Sequence, residues 1–117
     1  MATEWSDDIV IADLADEPAL SDELGAISER LAKLLAEGEA PPSVVLNFGQ
    51  VSYINSSNIA QMLRVRKQLA EARGKLRICS VSDEVWSVLM ITGLDKVFDF
   101  APDPMTALAS LQIEGEG

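Results

Sequence analysis

The apolar residues of this chain fall into two patterns that alternate along the sequence. The first pattern is a short apolar block rich in β-branched residues, which is typical of a buried strand. Four such blocks predict strands at Ile9–Leu14, Val44–Phe48, Lys75–Val81 and Val97–Phe100. The segment EWSDD, which precedes the first block, is a candidate partner strand in a hairpin.

The second pattern is helical spacing of apolar residues between these blocks. The first such segment begins at Leu20. Its apolar residues have the spacing of one buried stripe, and Gly38 follows as a stop signal; they are Leu24, Ile27, Leu31, Leu34 and Leu35. Further helices are predicted at about 57–73, 83–90 and 104–111.

The same spacing predicts which residues of the two middle helices face the core. For the 57–73 helix, which Gly74 should end, the predicted inward residues are Ile59, Met62, Leu63, Leu69 and Ala70. For the 83–90 helix, with Asp83 as candidate cap and Gly93 as stop, they are Val85, Trp86, Leu89 and Met90.

Strands that alternate with helices predict βαβ units and therefore an α/β fold with a mainly parallel sheet. The strands Val44–Phe48 and Lys75–Val81 are expected to be adjacent and parallel, because one helical crossover joins them. The 117 residues suffice for one domain, with its core at about 8–112 and a disordered polar tail at 113–117.

Charge narrows the range of partners. The chain has 9 Lys and Arg against 19 Asp and Glu, a net charge of -10, which argues against nucleic acid as a partner. Six of the nine basic residues lie between Arg64 and Arg77, whereas residues 1–25 contain eight acids and no base. This basic cluster is interpreted either as a solvated helix face or as a docking patch.

Other residue types exclude several kinds of chemistry. The chain has no histidine, which excludes a serine hydrolase with an imidazole base, and its single cysteine, Cys79, is expected to be a buried strand thiol. No metal or cofactor is expected. Because no apolar run approaches the roughly 20 residues of a membrane span and the first residues are acidic, a cytoplasmic location without membrane insertion is expected.

The most informative segment is the turn between the second predicted strand and the 57–73 helix. Asn55, Ser56 or Ser57 could be the N-cap of that helix. A serine there is also well placed to carry a phosphoryl group, because helix N-termini favour negative charge.

Two blocks that include this turn resemble the STAS family, the domain of bacterial anti-sigma factor antagonists. They are VVLNFGQVSYINSSNIAQML and KLRICSVSDEVWSVLMITGLDKVFDF. The order of elements is similar as well, from about Asp8 to Gln112. The resemblance implies a sheet of four or five strands backed by about four helices.

The resemblance also implies a function without catalysis. Ser56, with Ser57 as the alternative, matches the serine that an anti-sigma factor kinase phosphorylates in the family. The unphosphorylated chain would bind that kinase, phosphorylation would release it, and a phosphatase would reset the cycle. The expected partner surface is the turn and the outward side of its helix: Asn55, Ser56, Ser57, Asn58, Gln61, Arg64 and Lys67.

Three positions depart from the family pattern. Asn47 and Asn55 stand where many members have Asp, and Asn58 stands where many have Gly. The alternative is therefore a STAS scaffold or a regulatory subunit of a transport complex that is not phosphorylated. A small enzyme or nucleotide-binding module is a third hypothesis, against which the absence of G-x-x-x-x-G-K-[ST] and G-x-G-x-x-G motifs argues.

Overall fold

The computed structural model describes residues 2–6 and 8–116, in which strands and helices alternate after an initial hairpin. The strands are β1 (Ala2–Trp5), β2 (Ile9–Ala15), β3 (Ser43–Gln50), β4 (Leu76–Cys79) and β5 (Phe100–Ala101). The α-helices are α1 (Ala19–Ala36), α2 (Ser56–Glu71), α3 (Asp83–Ile91) and α4 (Pro104–Glu116), and a 3₁₀ turn covers Leu94–Lys96.

The five strands form one sheet in the order β1-β2-β3-β4-β5. β1 pairs antiparallel with β2, which confirms a hairpin, but its first strand is Ala2–Trp5 and not the predicted segment 4–8, of which Asp7 lies outside the described residues. The other neighbours are parallel, and β3 and β4 are adjacent, with Val44 opposite Leu76. The predicted α/β class with a mainly parallel sheet is thus confirmed.

Each face of the sheet is covered by different helices. On one face the helices α1, α2 and α3 bury alternate residues of the central strands, among them Val10, Leu46 and Ile78. On the other face α4 covers Val45 and Cys79. Cys79 is fully buried, as predicted, and burial raises the pKa of its thiol.

The predicted inward face of α2 was partly wrong. Leu63 is 36% exposed and Ala70 is also exposed, whereas Val65 is buried beside Met62 and Leu69. The reason is that α2 packs along α1 as well as on the sheet, which turns its buried face toward α1.

The inward face predicted for α3 also needs correction. Val85 and Leu89 are buried, but Met90 is 52% exposed and Trp86 is partly exposed. Trp86 nevertheless packs edge-on against Phe100 of β5, with ring centroids 5.0 Å apart.

Several predicted bounds shift by a few residues. The Oγ of Ser82, not Asp83, caps α3 by accepting the Val85 N–H at 3.2 Å. Gly93, with φ 77°, ends α3 as predicted, and the 3₁₀ turn that follows delays β5 to Phe100. At the end of α2, Arg73 and not Gly74 adopts the left-handed conformation, with φ 63°.

The last helix is longer than predicted. α4 continues to Glu116, so residues 113–116 are helical where a disordered tail was expected, and Gly117 lies outside the described residues. Within the described part of the chain, no helix has the length and apolar character needed to cross a membrane.

Candidate functional site

The turn before α2 is fixed by a reciprocal pair of hydrogen bonds. Asn55 is the N-cap, because its Oδ1 accepts the Asn58 N–H at 2.8 Å. The Oδ1 of Asn58 in turn accepts the Asn55 N–H at 3.0 Å, which completes a capping box. Of the three candidate caps, Asn55 is therefore the one used. Ser56 and Ser57 form the first helical positions, and both are exposed.

Asn58 lies beneath the turn instead of at the surface. Its side chain is fully buried, and its Nδ2 donates to Glu17 Oε2 at 3.3 Å and to Ser21 Oγ at 3.4 Å. Sequence reasoning placed Asn58 among the partner-binding residues, but a buried side chain whose amide is hydrogen-bonded to α1 is not accessible to a partner in this conformation. The prediction for this one side chain is corrected accordingly.

The carboxylate of Glu17 connects the starts of α1 and α2. Its Oε1 accepts the Ser21 N–H at 2.6 Å, and its Oε2 accepts hydrogen bonds from the Ser21 hydroxyl and from Asn58. The Ser21 hydroxyl, then the Ser21 N–H and the amides of Asn58 and Asn55, lower the pKa of Glu17. Glu17 does not stand out in the sequence; the available signal is an acidic residue just before α1 with a serine four positions later.

A second carboxylate ties the loop before Asn55 to the loop after β2. Asp16 accepts the Ser52 N–H at 2.7 Å and the Ser52 hydroxyl at 2.6 Å. These bonds, the hydroxyl first, lower the pKa of Asp16. Val51 and Ile54, which flank this contact, are buried in the core. The loop before Ser56 is therefore anchored at Ser52 and at Asn55.

The predicted outward side of α2 divides into two groups. Gln61 turns toward α1, where its Nε2 donates to the Ser21 carbonyl at 3.0 Å, and its buried Oε1 has no hydrogen-bond partner among the described residues. Arg64 and Lys67 are exposed and border a groove between α1 and α2. Helical spacing places both basic residues on the same side as Ser56.

Arg66 and Arg77 make their contacts away from this surface. Arg66 Nε donates to the Val97 carbonyl at 3.0 Å. Arg77 is buried against α4, where it contacts Ser110 at 3.2 Å and forms an ion pair with Asp99 at 3.4 Å. The basic cluster of the sequence is thus spread over several sides of the molecule, and Arg64 and Lys67 are its members next to the turn.

Comparison with known proteins gives a consistent result. The family model described as STAS domain matches residues 16–107. The Bordetella bronchiseptica protein BtrV, which is named as an anti-sigma factor antagonist, is 31% identical over 86 residues, which cover 74% of this chain and 72% of BtrV.

Solved structures of low sequence identity have the same fold. An anti-sigma-factor antagonist (STAS) domain protein from Planctomyces limnophilus has a TM-score of 0.78 at 19% identity, covering 95% of this chain and 97% of that one. The anti-sigma factor antagonist SpoIIAA in its unphosphorylated form gives 0.75 at 18% identity, with 95% of each chain covered. SpoIIAA of Bacillus in its phosphorylated form gives 0.64 at 17% identity, covering 94% of this chain and 97% of that one.

Proposed function

The chain belongs to the STAS domain family, and from this premise we propose that it is an anti-sigma factor antagonist that acts by partner switching. In its unphosphorylated form it binds an anti-sigma factor that has serine kinase activity. Phosphorylation of Ser56 releases that partner, and a phosphatase restores the binding form. The chain acts by binding and not by catalysis, in the cytoplasm, where sigma factors act.

The position of Ser56 is the observation that carries this proposal. Its hydroxyl is exposed at the first position of α2, while the neighbouring Asn55 satisfies the capping requirement of the helix. The residue is therefore available for modification without loss of the cap. A phosphoryl group there is favoured by the helix dipole, but its added charge of about −2 opposes a partner surface suited to a neutral hydroxyl.

The asparagines that depart from the family pattern are compatible with this role. Asn55 keeps the capping function that an aspartate would have, since both side chains offer an oxygen acceptor. Asn47 donates from Nδ2 to Asp13 at 2.8 Å, which an ionised aspartate could not do. Asn55 thus keeps the turn in place, and Asn47 keeps a contact between β2 and β3.

The test is phosphorylation by an anti-sigma factor kinase from the same genome, with Mg-ATP, followed by intact mass and site mapping. We expect one phosphoryl group on the wild type, none on Ser56→Ala, and one on the matched control Ser57→Ala. The reverse pattern would move the site to Ser57. A chain that does not bind any such kinase would refute the proposal.

A second function is favoured by the amides at positions 47 and 55, which replace carboxylates common in the family. In this alternative the chain is a STAS scaffold or a regulatory subunit of a transport complex. It would bind its partner constitutively, and the complex would not dissociate when ATP is added. Size-exclusion chromatography of the complex with and without Mg-ATP separates the two functions.

A further inference from the structure

One carboxylate lies between the N-termini of two helices next to the proposed switch. We propose that Glu17 is a positioning residue for the Ser56 turn, and that a charge added at Ser56 is transmitted through Asn58 and Glu17 to the start of α1. This inference deepens the proposed function and rests on it for its biological purpose. The coupling itself is a property of the chain alone.

The hydrogen bonds form a continuous path from the turn to α1. Asn55 and Asn58 bond reciprocally around Ser56, at 2.8 and 3.0 Å. The Nδ2 of Asn58 then donates to Glu17 at 3.3 Å, and Glu17 accepts the Ser21 N–H at 2.6 Å. A displacement of the first turn of α2 must therefore change the surroundings of the Glu17 carboxylate and of the Ser21 amide.

Asn58 is the residue that makes this path possible. Its Oδ1 is used by the turn and its Nδ2 by α1, and the side chain is fully buried, so it has no freedom to move independently of either element. A glycine at this position would remove the bonds that Asn58 makes to Glu17 and Ser21, and only the weaker effect of the Asn55 amide on Glu17 would remain. The link is thus specific to a chain that carries an amide here.

The charges along this path explain how a charge at Ser56 would affect Glu17. Both helix N-termini carry partial positive charge, and Glu17 is the carboxylate that hydrogen-bonds to both helices. The hydrogen bonds from Ser21 and then from Asn58 lower the pKa of Glu17, so its carboxylate is ionised near neutral pH. A second anion at Ser56 would compete for the positive end of α2 and repel Glu17, which weakens its bond to Asn58. The start of α1 therefore changes together with the Ser56 surface.

The first experiment follows the Ser21 amide resonance of the ¹⁵N-labelled chain by NMR. We expect Ser56→Asp to shift this resonance, and we expect the shift to be absent in a Glu17→Gln background. The matched control is Asp22→Asn, which removes one charge from the first turn of α1 and should leave the response intact. The proposal would be overturned if Ser56→Asp left the Ser21 chemical shift unchanged, or if it changed the shift equally in the Glu17→Gln background.

The second experiment keeps the proposal testable if Glu17→Gln does not fold. Asn58→Gly retains the Glu17 charge but removes the link, so the Ser21 response to Ser56→Asp should again be lost. A response that persists in Asn58→Gly would overturn the path through Asn58.

The third experiment is a double-mutant cycle on stability. Ser56→Asp should raise the unfolding equilibrium constant about 2- to 5-fold more in wild type than in Glu17→Gln, as expected of repulsion near helix ends. Equal effects in both backgrounds would contradict repulsion by Glu17. None of these measurements uses a partner, so a failed kinase assay and a failed coupling remain distinguishable.

Discussion

At position 47 an amide performs a task that a carboxylate could not. The Nδ2 of Asn47 donates to Asp13 at 2.8 Å, while its Oδ1 accepts the Gly49 N–H at 3.0 Å. The side chain thus joins β2 to the end of β3 by using both halves of the amide. This pair of contacts gives a structural reason for an amide at position 47.

We therefore expect Asn47→Asp to destabilise the fold by about 1 kcal/mol at neutral pH, since it brings two carboxylates into contact. The loss should shrink as the pH is lowered and one of the two carboxylates takes up a proton. Urea unfolding at several pH values measures both effects. The exchanged pair Asp13→Asn with Asn47→Asp is the control and should recover stability at neutral pH.

Acid should weaken the contact between α1 and α2 through Glu17. The pKa of Glu17 is lowered in the folded chain, so its stabilising contribution is complete above the pKa of the unfolded state and is lost as pH falls through the lower folded-state pKa. Between about pH 5 and 3, Glu17→Gln should lose less stability than the wild type. Parallel decline of the wild type and Glu17→Gln would contradict the assignment.

Charge at Ser56 should act on partner binding more than on the fold. We expect Ser56→Asp to weaken binding of the cognate anti-sigma factor by roughly 2 to 5 kcal/mol, the cost of an unpaired charge in an interface. Calorimetry measures the affinity. Ser87→Asp adds the same charge at an exposed position on α3 and should leave the affinity unchanged. Equal affinities for all three chains would exclude a charge switch at this serine.

At the scale of elements, the sequence pattern predicted where the strands and helices lie better than it predicted which face of a helix is buried. The strands and α1 followed from apolar blocks and one clear stripe, because burial against the sheet decides which positions are apolar there. The buried face of α2 did not, since its packing on α1 places the polar Asn58 inside and leaves Leu63 exposed. The role of Glu17 could not be predicted either, because it depends on a hydrogen bond with Asn58, which lies 41 residues further along the chain.

Substitution of two glycines by alanine should change the stability of the fold in opposite directions. A Cβ at Gly74 would lie 2.8 Å from Leu69 Cδ2 and 3.0 Å from Pro41 Cγ, so Gly74→Ala should destabilise the fold by about 1 to 3 kcal/mol. At Gly25, inside α1, a Cβ would meet only Gln61 Nε2 at 3.8 Å, and Gly25→Ala should stabilise by about 0.5 to 1 kcal/mol. Thermal unfolding of both variants tests the signs, and a stabilised Gly74→Ala would show that the Leu69 side chain can move aside.

At the scale of the whole molecule, the charge distribution singles out one small basic area in an acidic protein. The net charge is -10, yet Arg64 and Lys67 are exposed on the side of α2 that carries Ser56. Glu29 and Glu71 line the same groove, so the local balance is mixed and not strongly basic. The pair is therefore expected to guide a partner on approach more than to provide most of the binding energy.

If these two residues steer the partner, Arg64→Glu should lower the association rate while the dissociation rate changes little. The effect should diminish as salt rises, because exposed charges are screened over about 10 Å at 0.1 M ionic strength. Lys33→Glu is the matched control, since it reverses an exposed charge in the last turn of α1, at the opposite end of that helix from Glu17 and Ser21. Stopped-flow binding at low and high salt gives both rates. Equal association rates for the two variants would mean that Arg64 is part of a solvated helix face and that net charge alone governs the encounter.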